Sequence, residues 1–298
     1  MKSIFSLLKQ TFTEWREDKA PMLAAALAYY SAFSIAPLLV VILAIVGFVI
    51  DQQDARDQII AQVTQTVGAD AAGMVDRLIQ NTTKPNQGVL SSILGGGALL
   101  FGALGLFTQL QASLDWIWGI EDVKRESAVR GFIKDKLLSF GMILVIGFLL
   151  LISLVLSTVL SFFDSFLQGL FPGANVVLPI LTEAVSFGVI TLLFMFIYKY
   201  LPHAEIRWRD VWVGAAVTAL LFTIGKTLLG LYLSNSATTS AYGAAGAFVL
   251  ILLWIYYSAQ ILLFGAEFTQ VYARQHGQAI VAEGADERPE GRVASESY

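Results

Sequence analysis

The chain has 298 residues, of which 56% are hydrophobic and 14% are charged, and its formal net charge is −4. Soluble domains carry about 25% charged residues, so this composition excludes a soluble enzyme, a secreted disulfide scaffold and a disordered chain. The mean hydropathy of +0.67 indicates a bilayer environment, and the absence of cysteine excludes disulfides, a thiol nucleophile and cysteine-ligated metal sites.

Residues 1–19 carry charges throughout and are predicted to form an amphipathic interfacial helix. Apolar side chains recur there at helical spacing, which is typical of a helix that lies on a leaflet. Two alternatives stay open: the helix lies on the inner leaflet, or it packs on the protein's own cytoplasmic connectors. The apolar positions are Ile4, Leu8, Phe12 and Trp15.

Six long stretches with few or no charges follow, and each is long enough to cross the bilayer, which requires roughly 20 helical residues. Because lipid offers no partner to backbone groups and the stretches are too long for barrel strands, the predicted fold class is all-α, a polytopic membrane protein. The transmembrane domain is predicted over residues 20–274. Its six spans cover about 20–50, 89–117, 137–163, 176–200, 210–233 and 244–273.

The first span contains Pro37, which predicts a kink or a break in the helix. The first connector is the longest one, and its apolar spacing predicts two short amphipathic helices broken near Gly68. These helices are too short to cross the bilayer. An external helical cap is therefore predicted over about residues 52–84.

The distribution of lysine and arginine predicts the orientation. Most of these 19 residues lie in the N-terminal segment, the second and fourth connectors and the C-terminal tail, whereas the third and fifth connectors have none. Cytoplasmic loops carry the excess of positive charge, so both termini are predicted to be cytoplasmic. Residues 275–298 mix acidic residues with Gly, Pro and Ser and are predicted to be a disordered cytoplasmic tail.

The ionisable side chains within the predicted spans form two sets, and each such group costs at least about 2.5 kcal/mol at the bilayer centre. The first set lies near the outer side. Glu183 and Lys226 are both placed roughly 10 Å from the outer end of their spans. They are therefore candidates for an ion pair. The pair is either a static link between two helices or a substrate or coupling site.

A second group of polar side chains is predicted near the cytoplasmic side. At 100° per residue, the members on the second span share one face, as do those on the sixth. One interpretation is a polar cavity open to the cytoplasm; the alternative places the acidic members at the headgroups, paired with basic loop residues. The members are Tyr29, Tyr30 and Ser34 on the first span, Thr108, Gln111 and Asp115 on the second, and Tyr256, Gln260 and Glu267 on the sixth.

The sequence contains no complete motif for catalysis or cofactor binding. The triplet GKT at 225–227 resembles the end of a phosphate-binding loop, but Leu220 occupies the required glycine position. The two histidines, His203 and His276, form no metallohydrolase motif. Orientation accounts for the basic loops, so nucleic acid is not a predicted partner. We predict no catalytic residue, no cofactor and no metal site, and hence no enzyme.

Several motifs spread over nearly the whole chain resemble the YihY/BrkB family of bacterial inner-membrane proteins. They are AAALAYYSAFSIAP at 24–37, LDWIWG at 114–119, YKYLP at 198–202 with Trp208 and Gly214 beyond it, YG at 242–243 and LLWIYYSAQILLFGAE at 252–267. Asp115 departs from the asparagine that is common in the family.

The resemblance implies a six-helix protein of the bacterial plasma (inner) membrane and says little about chemistry. Family members have been labelled ribonuclease BN, but the residues of this chain give no support to that activity. Other members are associated with serum resistance and envelope lipid phenotypes, which implies the movement or sensing of an amphiphile.

The leading hypothesis is a protein that transports, flips or binds a lipid or other amphiphile, with membrane lipids as its partners. The alternative is a non-catalytic membrane scaffold that recruits envelope partners. A membrane-associated ribonuclease is the third hypothesis.

Overall fold

The structure is a computed structural model that describes residues 4–46, 51–82, 105–120, 174–234, 239–276 and 280–282, together with the helical residues 137, 141, 145 and 149. Within these residues the fold is almost entirely helical. The helices are α1 (Ile4–Glu17), α2 (Ala20–Val46), α3 (Gln52–Thr66), α4 (Ala69–Thr82), α5 (105–117), α6 (Ala174–Tyr200), α7 (Trp208–Ser234) and α8 (Thr239–Gln275), and two short strands are β1 (Ala204–Glu205) and β2 (Val281–Ala282).

Three helices of the described part are long and apolar enough to cross a membrane. They lie within α6, α7 and α8 and correspond to the last three predicted spans. The matching segments are Ile180–Tyr200, Trp208–Leu229 and Gly246–Gln275.

The first three predicted spans are covered in different degrees. Helix α2 extends over most of the first one, and its segment Ala20–Ile35 is a shorter apolar helix. The second predicted span is described only at 105–117, and the third only at four single helical residues. The remainder of both lies outside the described residues.

Helix α2 is continuous through Pro37, so the chain has no break there, and a kink at this position stays a prediction. Proline is tolerated in membrane helices when neighbouring groups satisfy the carbonyl that it leaves free. The chain instead turns at Lys19, which has φ of +55° and separates α1 from α2. That conformation ends one helix and allows the next to begin at once.

The centre of the fold is α8, which packs against α1, α2, α4 and α7, while α6 packs against α7. The main hydrophobic cluster joins α8 to α2, α5, α6 and α7. Its largest fully buried members include Leu114, Tyr198 and Leu263. Because α8 meets most other helices, its faces determine which side chains can form a site.

The first connector forms the two short helices that the sequence predicts. Helices α3 and α4 are separated at Gly68, whose φ of +112° favours glycine. Their shared apolar face includes Val75 and Ile79 and packs against Ile251 of α8. We refer to α3 and α4 together as the cap.

Helix α1 uses two different faces. Leu7 packs against Phe268 and Val271 of α8, so part of α1 rests on the end of the last helix. The opposite face is exposed and carries large apolar side chains: Ile4 and Phe5 are 79% and 77% exposed. The segment is helical as predicted and contacts α8, while its place at the membrane interface stays a prediction.

The predicted disordered tail is wrong at residues 280–282. Ile280 packs against the main hydrophobic cluster, and β2 pairs antiparallel with β1, joining Ala204 to Ala282 and Glu205 to Val281. The physical reason is a short apolar run at 279–282, which buries side chains and satisfies backbone groups at the strand edge.

Candidate functional site

Helix α8 has two nearly opposite faces that differ in how their polar groups are satisfied. Leu262, Gly265 and Thr269 lie on the face toward α6 and α7. Gln260 and Glu267 lie about 200° away from Leu262 and Gly265, respectively, at 100° per residue.

The face toward α6 and α7 is packed so closely that two glycines are required. A Cβ atom on Gly265 would lie 1.8 Å from Thr218 Oγ1 and 2.6 Å from Tyr198 Oη. A Cβ atom on Gly214 of α7 would lie 1.8 Å from Thr269 Oγ1. Small residues allow helix backbones to approach in this way in membranes, so this face is a packing interface.

Side-chain hydroxyls tie the same face to its neighbours. Tyr198 donates to the Leu262 carbonyl oxygen at 2.7 Å, and its Oη lies 3.0 Å from Thr218 Oγ1. Thr218 also lies 2.7 Å from the Gly214 carbonyl oxygen. Since each hydroxyl has one proton, the Tyr198 and Thr218 hydroxyls share two protons among these three contacts. Tyr198, Thr218 and Thr269 all have partners on this face, whereas Ser258 Oγ, one turn before Leu262, has none.

The motif LDWIWG ends α5 and attaches it to α8. Gly119 has φ of +66°, and the Ile120 N–H donates to the Asp115 carbonyl oxygen at 2.9 Å. This is the glycine-terminated helix end of the Schellman type. Trp118 Nε1 then donates to the Ala266 carbonyl oxygen at 3.0 Å, so the end of α5 is fixed on α8.

Asp115 and Gln111 bind the connector between α6 and α7. Asp115 accepts from the backbone N–H of His203 at 2.9 Å, and its Oδ2 lies 2.8 Å from His203 Nδ1. Gln111 Nε2 donates to the Leu201 carbonyl oxygen at 2.7 Å. Of the two interpretations of Asp115, loop pairing describes this geometry. We call these contacts the connector clamp.

Glu267 is in a different situation, because it is completely buried and has no hydrogen-bond donor at either carboxyl oxygen. Three charged side chains act on it: Asp18 lies within hydrogen-bonding reach, Glu14 is a second like charge, and Arg274 is the opposite charge. Arg274 is bound to Glu14. The carboxyl therefore lies between α8 and the α1–α2 junction.

Among the described residues, the buried side-chain atoms without a partner concentrate on or beside α8. Glu267 and Gln260 lie on the face away from α6 and α7, and Trp15 of α1 packs edge-on against Phe264 of α8 at 6.5 Å. The full set is Trp15 Nε1, Ser258 Oγ, Gln260 Oε1 and both carboxyl oxygens of Glu267.

The predicted pairing of Glu183 with Lys226 does not occur among the described side chains, whose ion pairs lie elsewhere. Glu183 is exposed on α6 beside exposed Leu181, whereas Lys226 is half-buried and follows Gly225, which lies against Tyr257 of α8. A substrate or coupling role for either residue stays a prediction.

Tyr29 and Tyr30, two first-span members of the predicted cavity, lie on an aromatic surface, whereas Ser34 is buried. Tyr29 and Tyr30 are 62% and 43% exposed, and Tyr30 lies beside Gly105 of α5. The Ser34 hydroxyl donates to the Tyr30 carbonyl oxygen at 2.9 Å. Tyr256 is half-buried against the main cluster, and Thr108 is exposed. The predicted set is thus divided: Gln111 and Asp115 lie in the connector clamp, Glu267 at the α1–α2 junction, and Tyr29 and Tyr30 on this surface.

Sequence reasoning missed His203 and Asp18 as partners of predicted site residues. His203 directly follows the YKYLP motif, and its sequence position alone gives no contact with Asp115, 88 residues away. Asp18 stands at the end of the N-terminal segment. The sequence offered one signal for Asp18, which is an acidic residue just before an apolar span.

The chain is similar to membrane proteins of one family. The family described as Virulence factor BrkB matches residues 11–290. A UPF0761 membrane protein of Psychrobacter sp. (strain PRwf-1) is 26% identical over 89% of this chain, which spans 48% of that relative's length. Those of Psychromonas ingrahamii and Vibrio parahaemolyticus are 29% and 28% identical over 86% and 92% of this chain and 84% of their own length. No solved structure matches the chain.

Proposed function

The chain belongs to the Virulence factor BrkB family of membrane proteins, and from this premise we propose that it binds a lipid or other amphiphile and moves it within or across the bilayer, without a catalytic role. The observation that carries the proposal is the face of α8 with Gln260 and Glu267, whose buried oxygens have no partner.

Buried polar groups without partners are costly in a membrane, because lipid cannot satisfy them. Gln260 lies seven residues from Glu267, or about 10 Å along the helix, in the direction of the bilayer centre. The two residues therefore form a polar line that starts at the α1–α2 junction. A polar headgroup that enters along this line would supply the missing hydrogen bonds, while its chains contact apolar helix surfaces.

We also propose that the chain crosses the inner membrane six times, with both termini in the cytoplasm. The ends of the described helices support this arrangement. Helix α5 ends at the connector clamp, and α6 also ends there, about 40 Å from its own start at Ala174. The end of α5 and the start of α6 therefore lie on opposite sides of the bilayer, so the chain crosses it an odd number of times between them. The predicted span 137–163 provides one such crossing.

Helix α1 is proposed to lie in the cytoplasmic interface. Its exposed face carries four large apolar side chains, whereas polar and charged residues occupy other positions. A helix with such a face binds the boundary between headgroups and acyl chains. The four side chains are Ile4, Phe5, Leu8 and Phe12.

Native mass spectrometry of the detergent-purified protein tests the proposed function, with identification of the lipids that remain bound. Gln260→Leu removes the polar group at the end of this line that lies toward the bilayer centre. Gln109→Leu is the matched control, because the Gln109 amide already contacts Ser113 Oγ at 3.4 Å in α5. We expect a defined amphiphile on the wild type and the control and its loss from Gln260→Leu.

Bulk lipid that is the same in all three proteins would contradict the proposal and favour the scaffold alternative. A defined amphiphile would be followed by a flipping assay in liposomes. Divalent-metal-dependent RNA cleavage that survives stringent purification would contradict the absence of a catalytic role.

A further inference from the structure

The contact between α8 and the α1–α2 junction contains two carboxyl groups that face each other in a buried position. Glu267 is completely buried, and Asp18 is partly buried and within hydrogen-bonding reach of it. Two ionised carboxylates are both acceptors. Such a contact becomes a hydrogen bond only when one of the two groups carries a proton.

No other described group supplies the missing donor. Neither oxygen of Glu267 has a hydrogen-bond partner, and Glu14 adds a second negative charge at the same place. Arg274 is 48% exposed at its side chain and is bound to Glu14. A buried carboxylate without a donor or a dedicated counter-charge costs several kcal/mol.

The packing around the carboxyl and the number of nearby ligands bear on which cation could bind there. The carboxyl is enclosed by α1 and α8, whose side chains pack directly through Leu7, Phe268 and Val271. Within the described part of the chain, no group of three or more His, Cys, Asp or Glu side chains is arranged to hold a metal ion. A proton needs neither space nor a third ligand.

We propose that Glu267 and Asp18 form a proton-binding site, in which one proton is shared between the two carboxyl groups and holds the α1–α2 junction against α8. Removal of the proton leaves like charges at Glu267 and Asp18, with Glu14 as a third, and pushes the junction away from α8. The inference goes beyond the proposed amphiphile binding and does not depend on it.

Infrared spectroscopy of the full-length protein in detergent tests the site, because a protonated carboxyl has a C=O stretch distinct from that of a carboxylate. The wild type should show this band at neutral pH. Glu267→Gln, which keeps the side-chain volume without a charge, should lose it. Asp18→Asn should shift its frequency, since the partner changes. Asp115→Asn is the matched control, because Asp115 is bound to His203, and it should leave the band unchanged.

A second measurement follows the movement and does not require the infrared band. The chain has no cysteine, so spin labels at Leu8→Cys and His276→Cys report one distance between α1 and the end of α8. That distance should increase in the wild type as the pH is raised and should stay constant with Glu267→Gln. A wild type without the band, a band that survives Glu267→Gln, an unshifted band in Asp18→Asn or equal pH responses in both proteins would each overturn the proposal. Lipid retention is a separate readout, so failure of the amphiphile proposal leaves these results interpretable.

Discussion

Asp115 illustrates how one side chain can join two distant segments of the chain. Its main-chain carbonyl accepts the hydrogen bond that ends α5, while its carboxylate binds both the backbone and the ring of His203. The residue therefore links the end of a helix to a connector that follows another helix. Asparagine at this position would retain one oxygen acceptor for the His203 N–H.

Removing the carboxylate should loosen the connector clamp. Asp115→Ala leaves the His203 N–H without its acceptor, so we expect a loss of about 1–3 kcal/mol in the free energy of unfolding. Asp115→Asn should lose less. Unfolding in mixed detergent micelles measures both, and a double-mutant cycle with His203→Ala should give a coupling of about 0.5–3 kcal/mol. Additive effects of the two substitutions would show that the contact contributes nothing.

Gly265 is predicted to be intolerant of any side chain. The alanine Cβ would lie 1.8 Å from Thr218 Oγ1, which displaces the hydroxyl that contacts Tyr198, and overpacking of this kind costs about 1–3 kcal/mol. Gly188→Ala in α6 is the matched control, because no atom lies within 4 Å of the position that its methyl group would occupy. Thermal unfolding should separate the two variants clearly. Equal melting temperatures would contradict the packing assigned to this face.

Residue types allowed only part of the site to be predicted. Glu267 and Gln260 could be identified as candidate site residues from the sequence, because polar residues are rare in apolar helices. Their partners were not, since Asp18 and His203 approach through tertiary contacts rather than through spacing in the sequence. Asp115 was predicted as a candidate for a cavity, whereas its geometry is that of a structural clamp.

At the scale of elements, the amphipathic segments were predictable and the membrane helices were predictable only in length. Helices α1 and α4 have one apolar face, so the period of their sequence predicts the helix. The buried side does not follow from it in α1, where Ile4 and Phe12 are exposed and Leu7 contacts α8. Helices α2, α6 and α8 are apolar on nearly all sides, and their sequence does not indicate which face meets which neighbour. Of the two outcomes predicted for Pro37, a kink or a break, the continuous helix α2 excludes the break.

The cap should be held to α8 by its apolar face rather than by its charges. Ile79 is 3% exposed and belongs to the cluster with Ile251, so Ile79→Ala should cost about 2–5 kcal/mol. Arg56 Nε binds Asp76 at 2.7 Å, but its side chain is 25% exposed, and Arg56→Gln should cost less than about 1 kcal/mol. Hydrogen exchange over residues 52–82 measures the opening of the cap. An equal increase in exchange for both substitutions would contradict this ranking.

At the scale of the whole molecule, the contacts of α8 place the other elements at its two ends. The cap packs at Ile251 and α1 packs at Phe268. These positions are about 25 Å apart along the helix, close to the thickness of the bilayer core. Strand β2, which follows α8, pairs with β1 in the connector between α6 and α7. The connector and α1 therefore lie at the same end of the molecule, opposite to the cap.

This arrangement predicts the sidedness of three exposed positions. Asp70 lies in the cap, whereas Glu17 and Glu205 lie at the other end. Because the wild-type chain has no cysteine, each of Glu17→Cys, Asp70→Cys and Glu205→Cys provides a single label without background. An impermeant maleimide should label Asp70→Cys in cells with a permeabilised outer membrane and an intact inner membrane, and should label the other two only after the inner membrane is opened.

The result depends on the number of crossings between the labelled positions. Six spans place three crossings between Asp70 and Glu205 and one between Glu17 and Asp70, so both pairs lie on opposite sides. A missing or additional span between residues 83 and 203 would put Asp70 and Glu205 on the same side, and this outcome would contradict the six-span topology. If each of the three positions is labelled from the side opposite to the predicted one, the arrangement of the helices still holds. The orientation derived from the lysine and arginine residues is then wrong.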